Sequence, residues 1–543
     1  MPTSRTVASE ILRILSDAGV TTAFGLPGVH NLPFWNALGE DRPEIIGVRH
    51  EQTCVYAADG LARTTGGLGV ALTTTGPGAA NAIGAFGEAA ISNSAVLVIS
   101  SEAPIASRLP GMSRGLLHEM VDQSALFAPL AKKDRSGRPL AMSVANAKEA
   151  IEAALRLVAE LQAAPRGAGY LGVPADILAM NVEDDEFAKP TIEELKCPPN
   201  SLLQLRELID TSEKIALWVG GGAVDSSHSI ARFAELLGAP IFTSFAGRGI
   251  GATSSNYVDM PIHEPEISNL FSQADLLIVI ASELDGMNTK NWKLPWPPKI
   301  AIIDAAPAKP AANSGASLIL ETSDINGVID ELSKRDKREN WADIKEICDG
   351  VRSRLHASKL ESQGLKLVET IDQSWGIEDP VICDMAISGY WVGVYGRHSK
   401  PRRSAYPVGW GTLGFALPAS IGAATKKPTL VICGDGGLAF ALSELATIKQ
   451  ENLPITILLN DDGGYGMLRY DQQVMSHPER GVDLFNPEWS SIASSFGFHF
   501  EEVDLDSLGT SLKRAHASQG QNLLLLRTKL YPPRSTSPRW KEA

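Results

Sequence analysis

Short apolar runs recur along the chain, separated by stretches of helical periodicity. Up to about residue 180 they read "TTAFG", "EIIGV", "LGVALTTT", "AVLVISS" and "GAGYLGV", each stopping at Gly, Pro or Ser. Near-continuous apolar runs of strand length, alternating with helices, predict a parallel, doubly wound sheet. The Pro-containing, charged stretch "NVEDDEFAKPTIEELKCPPN" then reads as a linker. A second alternating block follows: "KIALWVGGGA", "APIFTS", "ADLLIVIAS" and "KIAIIDAAP". The segment "SKRDKRENWADIKEICDGVRSRLHASKL" is strongly charged and predicts a helical connector. The last block holds "VICDM", "TLVICGDGG", "ITILLND" and "NLLLLRT". The fold class is therefore α/β, with three doubly wound parallel-sheet domains over residues 1–182, 198–335 and 360–543.

Length agrees with that division, because 543 residues make three to four domains at about 150 residues each. The N-terminal stretch places Val7, Ile11, Ile14 and Leu15 at helical spacing and includes Glu10 and Asp17. It reads as a first core helix rather than a signal or transit peptide. "LLIVIA" and its like are far too short to span a bilayer. The net charge of −14, with no basic cluster, argues against nucleic acid and anionic membrane as partners. Five scattered cysteines suggest neither a zinc site nor a disulfide framework, so a reducing cytosol is the expected, cytoplasmic setting.

Candidate chemistry enters at "GDGGLAFALSELATIKQENLPITILLNDDGG". Here a strand stops at glycines, a helix places Leu442, Leu445 and Ile448 on one face, and Pro454 introduces the next strand. Asp435 and Asp462 thus fall just past the C-terminal ends of two parallel strands, the edge where open α/β sheets bind ligands. Gly436 and Gly437 let a backbone close on a phosphate at a helix start. Two acids would repel a phosphate unless a hard dication lay between them, and Mg²⁺ commonly takes one or two carboxylates plus phosphate oxygens. The stretch reads as a Mg²⁺–diphosphate site. A bare GDG is also common in ordinary βαβ turns.

A second constellation, residues 47–82, is "GVRHEQTCVYAADGLARTTGGLGVALTTTGPGAANA". With "FGLPG" (24–28), "HEMVDQ" (118–123) and "WGTLGFALPASIGAA" (410–424), it resembles the thiamine-diphosphate-dependent family that includes acetolactate synthase, benzoylformate decarboxylase and related 2-oxo acid enzymes. The resemblance covers nearly the whole chain. It implies that Glu51 hydrogen-bonds the cofactor aminopyrimidine and promotes the C2-ylid that attacks a 2-oxo acid, leading to decarboxylation through an enamine. It implies that Leu413 supports the bent cofactor and that Gly411 supplies a backbone carbonyl to the aminopyrimidine. Asp384 and Ser388 match the other loop on the diphosphate side. Asp435, Asp462 and the Gly464 carbonyl match the metal ligands, with Asp462 standing where Asn is usual; Asn460 and Asp461 remain competitors for that place. Because the family draws Glu51 and the metal site from different subunits, a homodimer is implied at minimum and a homotetramer commonly.

Several positions depart from acetolactate synthase. Glu102 stands for the usual Gln, and "LHE" (117–119) for "FQE". Lys132 matches a lysine near that enzyme's active site. The flavin-associated patterns are poor, so FAD is not expected, and "GGGA" (220–223) reads as a tight turn. His30 and His118 fall on loops that line the family's cofactor cavity, where an imidazole suits acid–base work. "GLPGVHNL" and "LLHEMVDQ" look closer to the acetolactate-synthase-like decarboxylases, such as 5-guanidino-2-oxopentanoate decarboxylase, than to a biosynthetic acetolactate synthase. Met467, Leu468 and Tyr470 lie where substrate side chains pack, or in the core of the next helix. Two activities share these residues, decarboxylation to an aldehyde and carboligation to an acyloin; a non-catalytic paralogue is the third reading, against which Glu51 and Asp435 argue.

Overall fold

A computed structural model of the chain describes residues 5–541 except 110, 183–186 and 408. Three parallel sheets order the molecule. The first contains β1 (Thr22–Gly25), β2 (Glu44–Gly47), β3 (Gly69–Thr73), β4 (Val96–Glu102), β5 (Ala141–Ser143) and β6 (Ala168–Pro174), in the order β2-β1-β3-β4-β6-β5. The second contains β7 (Ile215–Val219), β8 (Ile241–Thr243), β9 (Leu276–Ile280), β10 (Lys299–Asp304) and β11 (Leu318–Glu321), in the order β11-β10-β9-β7-β8. The third contains β12 (Val381–Cys383), β13 (Ser404–Ala405), β14 (Thr429–Gly434), β15 (Ile455–Asn460), β16 (His499–Val503) and β17 (Asn522–Leu526), in the order β13-β12-β14-β15-β17-β16. Counted from its own first strand, each six-stranded sheet runs 2-1-3-4-6-5, and the second sheet runs 2-1-3-4-5. The chain has used one winding rule three times.

The central strands carry the apolar runs because both of their faces are covered. β4, β6, β7, β9 and β17 are buried at every position. β5, β11, β13 and β16, which the apolar pattern does not reveal, are edge strands of two to five residues. An edge strand in the open needs no continuous apolar run. One core joins the first sheet to the third through Phe24, Val98, Ile382, Val431 and Leu523. Another joins the second to the third through Trp218, Val279, Ile432 and Leu458.

The first and third domains approach most closely where the helix Glu51–Thr65 meets the helix Ala416–Ala424. A Cβ at Gly60 would lie 2.0 Å from the Ala419 carbonyl oxygen, and one at Gly422 would lie 1.8 Å from that of Ala57. Only glycine permits this approach. It sets the helix that begins with Glu51 against the third domain.

Two expected elements differ. The single helix expected after Gly437 is two, Asp435–Ala439 and Glu444–Gln450, with Phe440 exposed at the break. Leu445 and Ile448 are buried and Leu442 packs on the same core. The charged connector is helical only over Ile344–Ala357, and this helix buries Cys348, Val351 and Leu355. It is an integral layer on the second core, with Arg352 buried beside these apolar residues and paired to Asp259. Among the described residues no helix is long and apolar enough to cross a membrane.

Candidate active site

At the C-terminal edge of the first sheet, the turns after β1, β2 and β3 converge. Glu51 opens the helix after β2, buried, with His50 as the N-cap. Asn81 donates its side-chain N–H to Glu51 Oε2 at 3.0 Å. A Cβ at Gly78 would stand 3.4 Å from Glu51 Oε1, and one at Gly28 would meet Thr74 Oγ1 at 2.5 Å. The glycines of "FGLPG" and "GPGAAN" therefore let these turns close on one another beside the carboxylate.

His30 and His118 come together at this edge, with ring centroids 6.3 Å apart and planes at 82°. His30 Nδ1 lies 2.9 Å from Thr75 Oγ1. Burial, and secondarily the His118 ring, hold the His30 imidazole below its ordinary proton affinity. His118 takes a left-handed φ of 67°, unusual for a side-chain-bearing residue. Its loop is pinned by Gln123, which accepts from Gly76 N–H at 2.7 Å and donates to the Ser101 carbonyl and the Tyr170 hydroxyl. Glu119 shapes the same loop by accepting N–H bonds from Arg114, Gly115 and Leu116.

The corresponding edge of the third sheet is acidic. Asp435 is buried, and its Oδ1 has no hydrogen-bond partner among the described residues. Asn486 donates to Asp435 Oδ2 at 2.5 Å and to Asp461 Oδ1 at 2.8 Å. Asp461 is otherwise occupied, accepting from Trp489 Nε1 at 3.0 Å and from an Arg527 N–H at 2.9 Å. Asn460 donates to the Leu526 and Thr528 carbonyls. That leaves Asp462 as the uncommitted neighbour of Asp435. Burial, then Asp435, push its carboxyl up to about 6. Burial also raises Asp435.

An orphaned buried carboxylate oxygen and a second acid destabilised by the first fit a hard dication. No group of three or more His, Cys, Asp or Glu side chains suited to a metal occurs among the described residues. Two carboxylates with the Gly464 carbonyl would therefore need ligand oxygens to complete the shell. Gly464 adopts φ 150°, and its Cβ would lie 1.9 Å from the Val482 carbonyl.

The loops on the diphosphate side meet here as well. Gly437 lets the Asp384 carboxyl approach, a Cβ there lying 3.1 Å from Asp384 Cγ, and Gly436 lets the Tyr465 ring approach. Ser388 Oγ is buried without a partner among the described residues. Asp384 on this loop is held by backbone donors. Its carboxylate accepts from the backbone N–H groups of Met385 at 2.7 Å, Gly414 at 3.0 Å and Ala416 at 3.1 Å. Burial pushes it up to about 6 against these donors. Asp384 thereby fastens the loop bearing Leu413. Leu413 is half-buried, and Gly411 is exposed with φ 74°.

Other candidates fall elsewhere. Lys132 donates to the Glu160 and Ala163 carbonyls, capping the helix Ala147–Gln162 rather than entering the site, and burial lowers it to about 8. Gly220–Gly222 are explained by close packing on Ala281, Ser282 and Ala246. Met467 packs on the core, Leu468 is exposed, and the Tyr470 hydroxyl lies 3.0 Å from that of Tyr531. Sequence reasoning missed Thr75, Gln123 and Asn486 as partners. Asn81 and Gln123 stand inside the quoted motifs, whereas Asn486 lies in a segment with no motif.

Comparison with known proteins agrees with this geometry. Residues 5–126 match the thiamine pyrophosphate enzyme N-terminal TPP binding domain, 202–332 the central domain and 384–525 the C-terminal TPP binding domain. The chain belongs to the thiamine pyrophosphate enzyme family. Within it, the chain is 30% identical over 540 residues to a probable 2-ketoarginine decarboxylase of Pseudomonas aeruginosa, covering 96% of this chain and 94% of that protein. It is 26% identical over 536 residues to the acetolactate synthase isozyme 2 large subunit of Escherichia coli, covering 95% and 94%. The fold matches a Rhodococcus jostii thiamine diphosphate-dependent 4-hydroxybenzoylformate decarboxylase with a TM-score of 0.78 at 19% identity, over 97% of this chain and 99% of that one. The protein is thus an acetolactate synthase-like enzyme of the thiamine-diphosphate-dependent class.

Proposed function

We propose that the protein decarboxylates a 2-oxo acid and releases an aldehyde, using thiamine diphosphate and Mg²⁺ at a site completed by a second copy of the chain. The observation that carries this reading is the pairing of two unlike sheet edges: Glu51 with Asn81 and two imidazoles on one, Asp435 with Asp462 on the other. Bound thiamine diphosphate supplies a nucleophilic carbon and an electron sink. Glu51 holds or moves a proton at the aminopyrimidine. Asp435, Asp462 and the Gly464 carbonyl hold Mg²⁺, with Ser388, Gly436 and Gly437 around the diphosphate. Leu413 and Gly411 orient the pyrimidine half. His30 and His118 deliver a proton to the product carbon; the depressed proton affinity of His30 suits it to give that proton up.

Apolar side chains exposed near both edges support a covering subunit: Val29, Leu117 and Val121 by the first, Phe440, Leu468 and Phe485 by the third. A homodimer is the minimum, and a homotetramer doubles it. The free state of all five cysteines supports a reducing, cytoplasmic setting. The Pseudomonas relative makes 2-oxo acids with a basic side chain the first class to try. The Escherichia coli relative favours a second reading, carboligation, which uses the same residues and differs in what captures the bound acyl fragment.

The test is a product assay with thiamine diphosphate, Mg²⁺ and a panel of pyruvate, branched, aromatic and guanidino 2-oxo acids. Carbon dioxide matched by aldehyde supports the decarboxylase. Carbon dioxide matched by a hydroxy-ketone replaces it with the carboligase.

A further inference from the structure

The loop bearing Gly411 and Leu413 runs from β13 to the helix Ala416–Ala424 and is gripped from two sides. Asp384 of the third domain holds its end through Gly414 and Ala416. Glu88 of the first domain, in the helix Ile83–Ile91, holds its middle. The Glu88 side chain is fully buried. Its Oε2 accepts the Trp410 N–H at 3.1 Å and the Thr412 hydroxyl at 3.1 Å. Its Oε1 accepts from Arg63 at 3.1 Å and from Ser92 at 2.9 Å. Arg63 also donates to the Tyr406 carbonyl at 3.1 Å, and its guanidinium lies 5.0 Å from the Phe415 ring centre. Both acids that Arg63 serves, Asp59 and Glu88, are fully buried.

Two buried carboxyl groups share one guanidinium, so Glu88 needs further donors. A buried carboxylate is tolerated only where donors surround it. The loop supplies the missing donors from the residues on either side of Gly411. Turning both towards Glu88 requires a reversal between them, and Gly411 makes it with φ 74° and an N–H bond to the Pro407 carbonyl at 2.9 Å. Gly87 completes the seat, since a Cβ there would lie 1.7 Å from the Trp410 ring.

We propose that Glu88, braced by Arg63, is a positioning residue that sets the conformation of the cofactor loop from the first domain of the same chain. The proposal rests on the function given above for Gly411 and Leu413. With Glu51 serving a partner's cofactor, each first domain would serve one site through Glu51 and shape its own chain's loop through Glu88.

The test compares wild type with Glu88→Gln and Thr412→Val. Hydrogen–deuterium exchange of residues 409–416 is measured in cofactor-free protein, and the thiamine diphosphate Kd by tryptophan fluorescence with Mg²⁺ present. In Glu88→Gln, exchange in this loop and Kd each rise about tenfold or more, the scale of losing charge-assisted hydrogen bonds, and the turnover deficit shrinks as cofactor is raised. Thr412→Val, which spares the Trp410 bond, gives about a threefold change. Wild-type exchange and Kd in Glu88→Gln overturn the proposal, as does faster exchange spread evenly over the whole chain. Should Glu88→Gln fail to fold, unchanged values in Thr412→Val overturn it. Wild-type protein that binds no thiamine diphosphate overturns the proposed function instead, while loop exchange still decides whether Glu88 holds the loop.

Discussion

The first and third sheets share one strand order and present opposite chemistry at the same edge. On the first, the buried carboxylate of Glu51 is accompanied by an amide, hydroxyls and two imidazoles. On the third, Asp435, Asp461 and Asp462 crowd together; Asp461 is ion-paired with Arg527, while burial and Asp435 outweigh the nearby cations at Asp462. The winding of an open sheet creates the crevice, and the residues of the turns decide what enters it. On the proposed reading, one edge moves protons and the other holds a cation.

The contrast breaks most readily at Glu51. Glu51→Gln is expected to lower kcat by about 10²-fold or more, the scale of general acid–base catalysis, with a far smaller change in cofactor Kd. Steady-state rates and a cofactor titration check this, and normal turnover would remove Glu51 from the chemistry. On the opposite edge, Asp435→Ala should weaken Mg²⁺-dependent cofactor retention by on the order of 10²-fold, as when one partner of a buried charge pair is lost. Dialysis against chelator followed by Mg²⁺ titration measures it. Asp461→Asn is the control: it should lower Tm through lost Trp489 and Arg527 bonds, and leave the Mg²⁺ midpoint in place.

His118→Gln should reduce aldehyde formation by roughly tenfold, below the usual range for acid–base groups because His30 remains. It should also move a pH limb. His30 sits below its ordinary range through burial first and His118 second, so as a proton donor it sets an alkaline limb of kcat below the ordinary imidazole range in the wild type. Removing the lesser cause raises that limb; a downward shift would contradict the pairing. The smallest effect belongs to Asp462→Asn. It relieves repulsion with Asp435, so metal-free protein should gain a few degrees of Tm, roughly 2–4 °C per kcal/mol. Calorimetry in chelator reads this, and a lower Tm would show that Asp462 is not strained by its neighbour.

The central strands were legible because burial on both faces demands unbroken apolar runs. The edge strands β5, β11, β13 and β16 were not, since solvent relaxes that demand. The helix expected after Gly437 read as continuous because its apolar spacing persists through a turn at Phe440 that the pattern does not register. The resemblance placed Asp384 on the diphosphate-side loop but said nothing of its own partners. Its commitment to Gly414 and Ala416 depends on a loop thirty residues away in sequence.

By itself, then, the sequence determined the α/β class, three rounds of strand and helix, and the strand ends where Glu51 and Asp435 stand. Those features are local: apolar periodicity records burial, and glycine records where backbone must turn or approach closely. Tertiary structure alone decided that Asp461 is bound to Trp489 and Arg527 while Asp462 is left to face Asp435. It also decided that His30 meets His118, and that Glu88 reaches Trp410 and Thr412. A side chain's charge and reach are written in its own residue, but whether that charge is satisfied depends on groups that only folding brings within 3 or 4 Å.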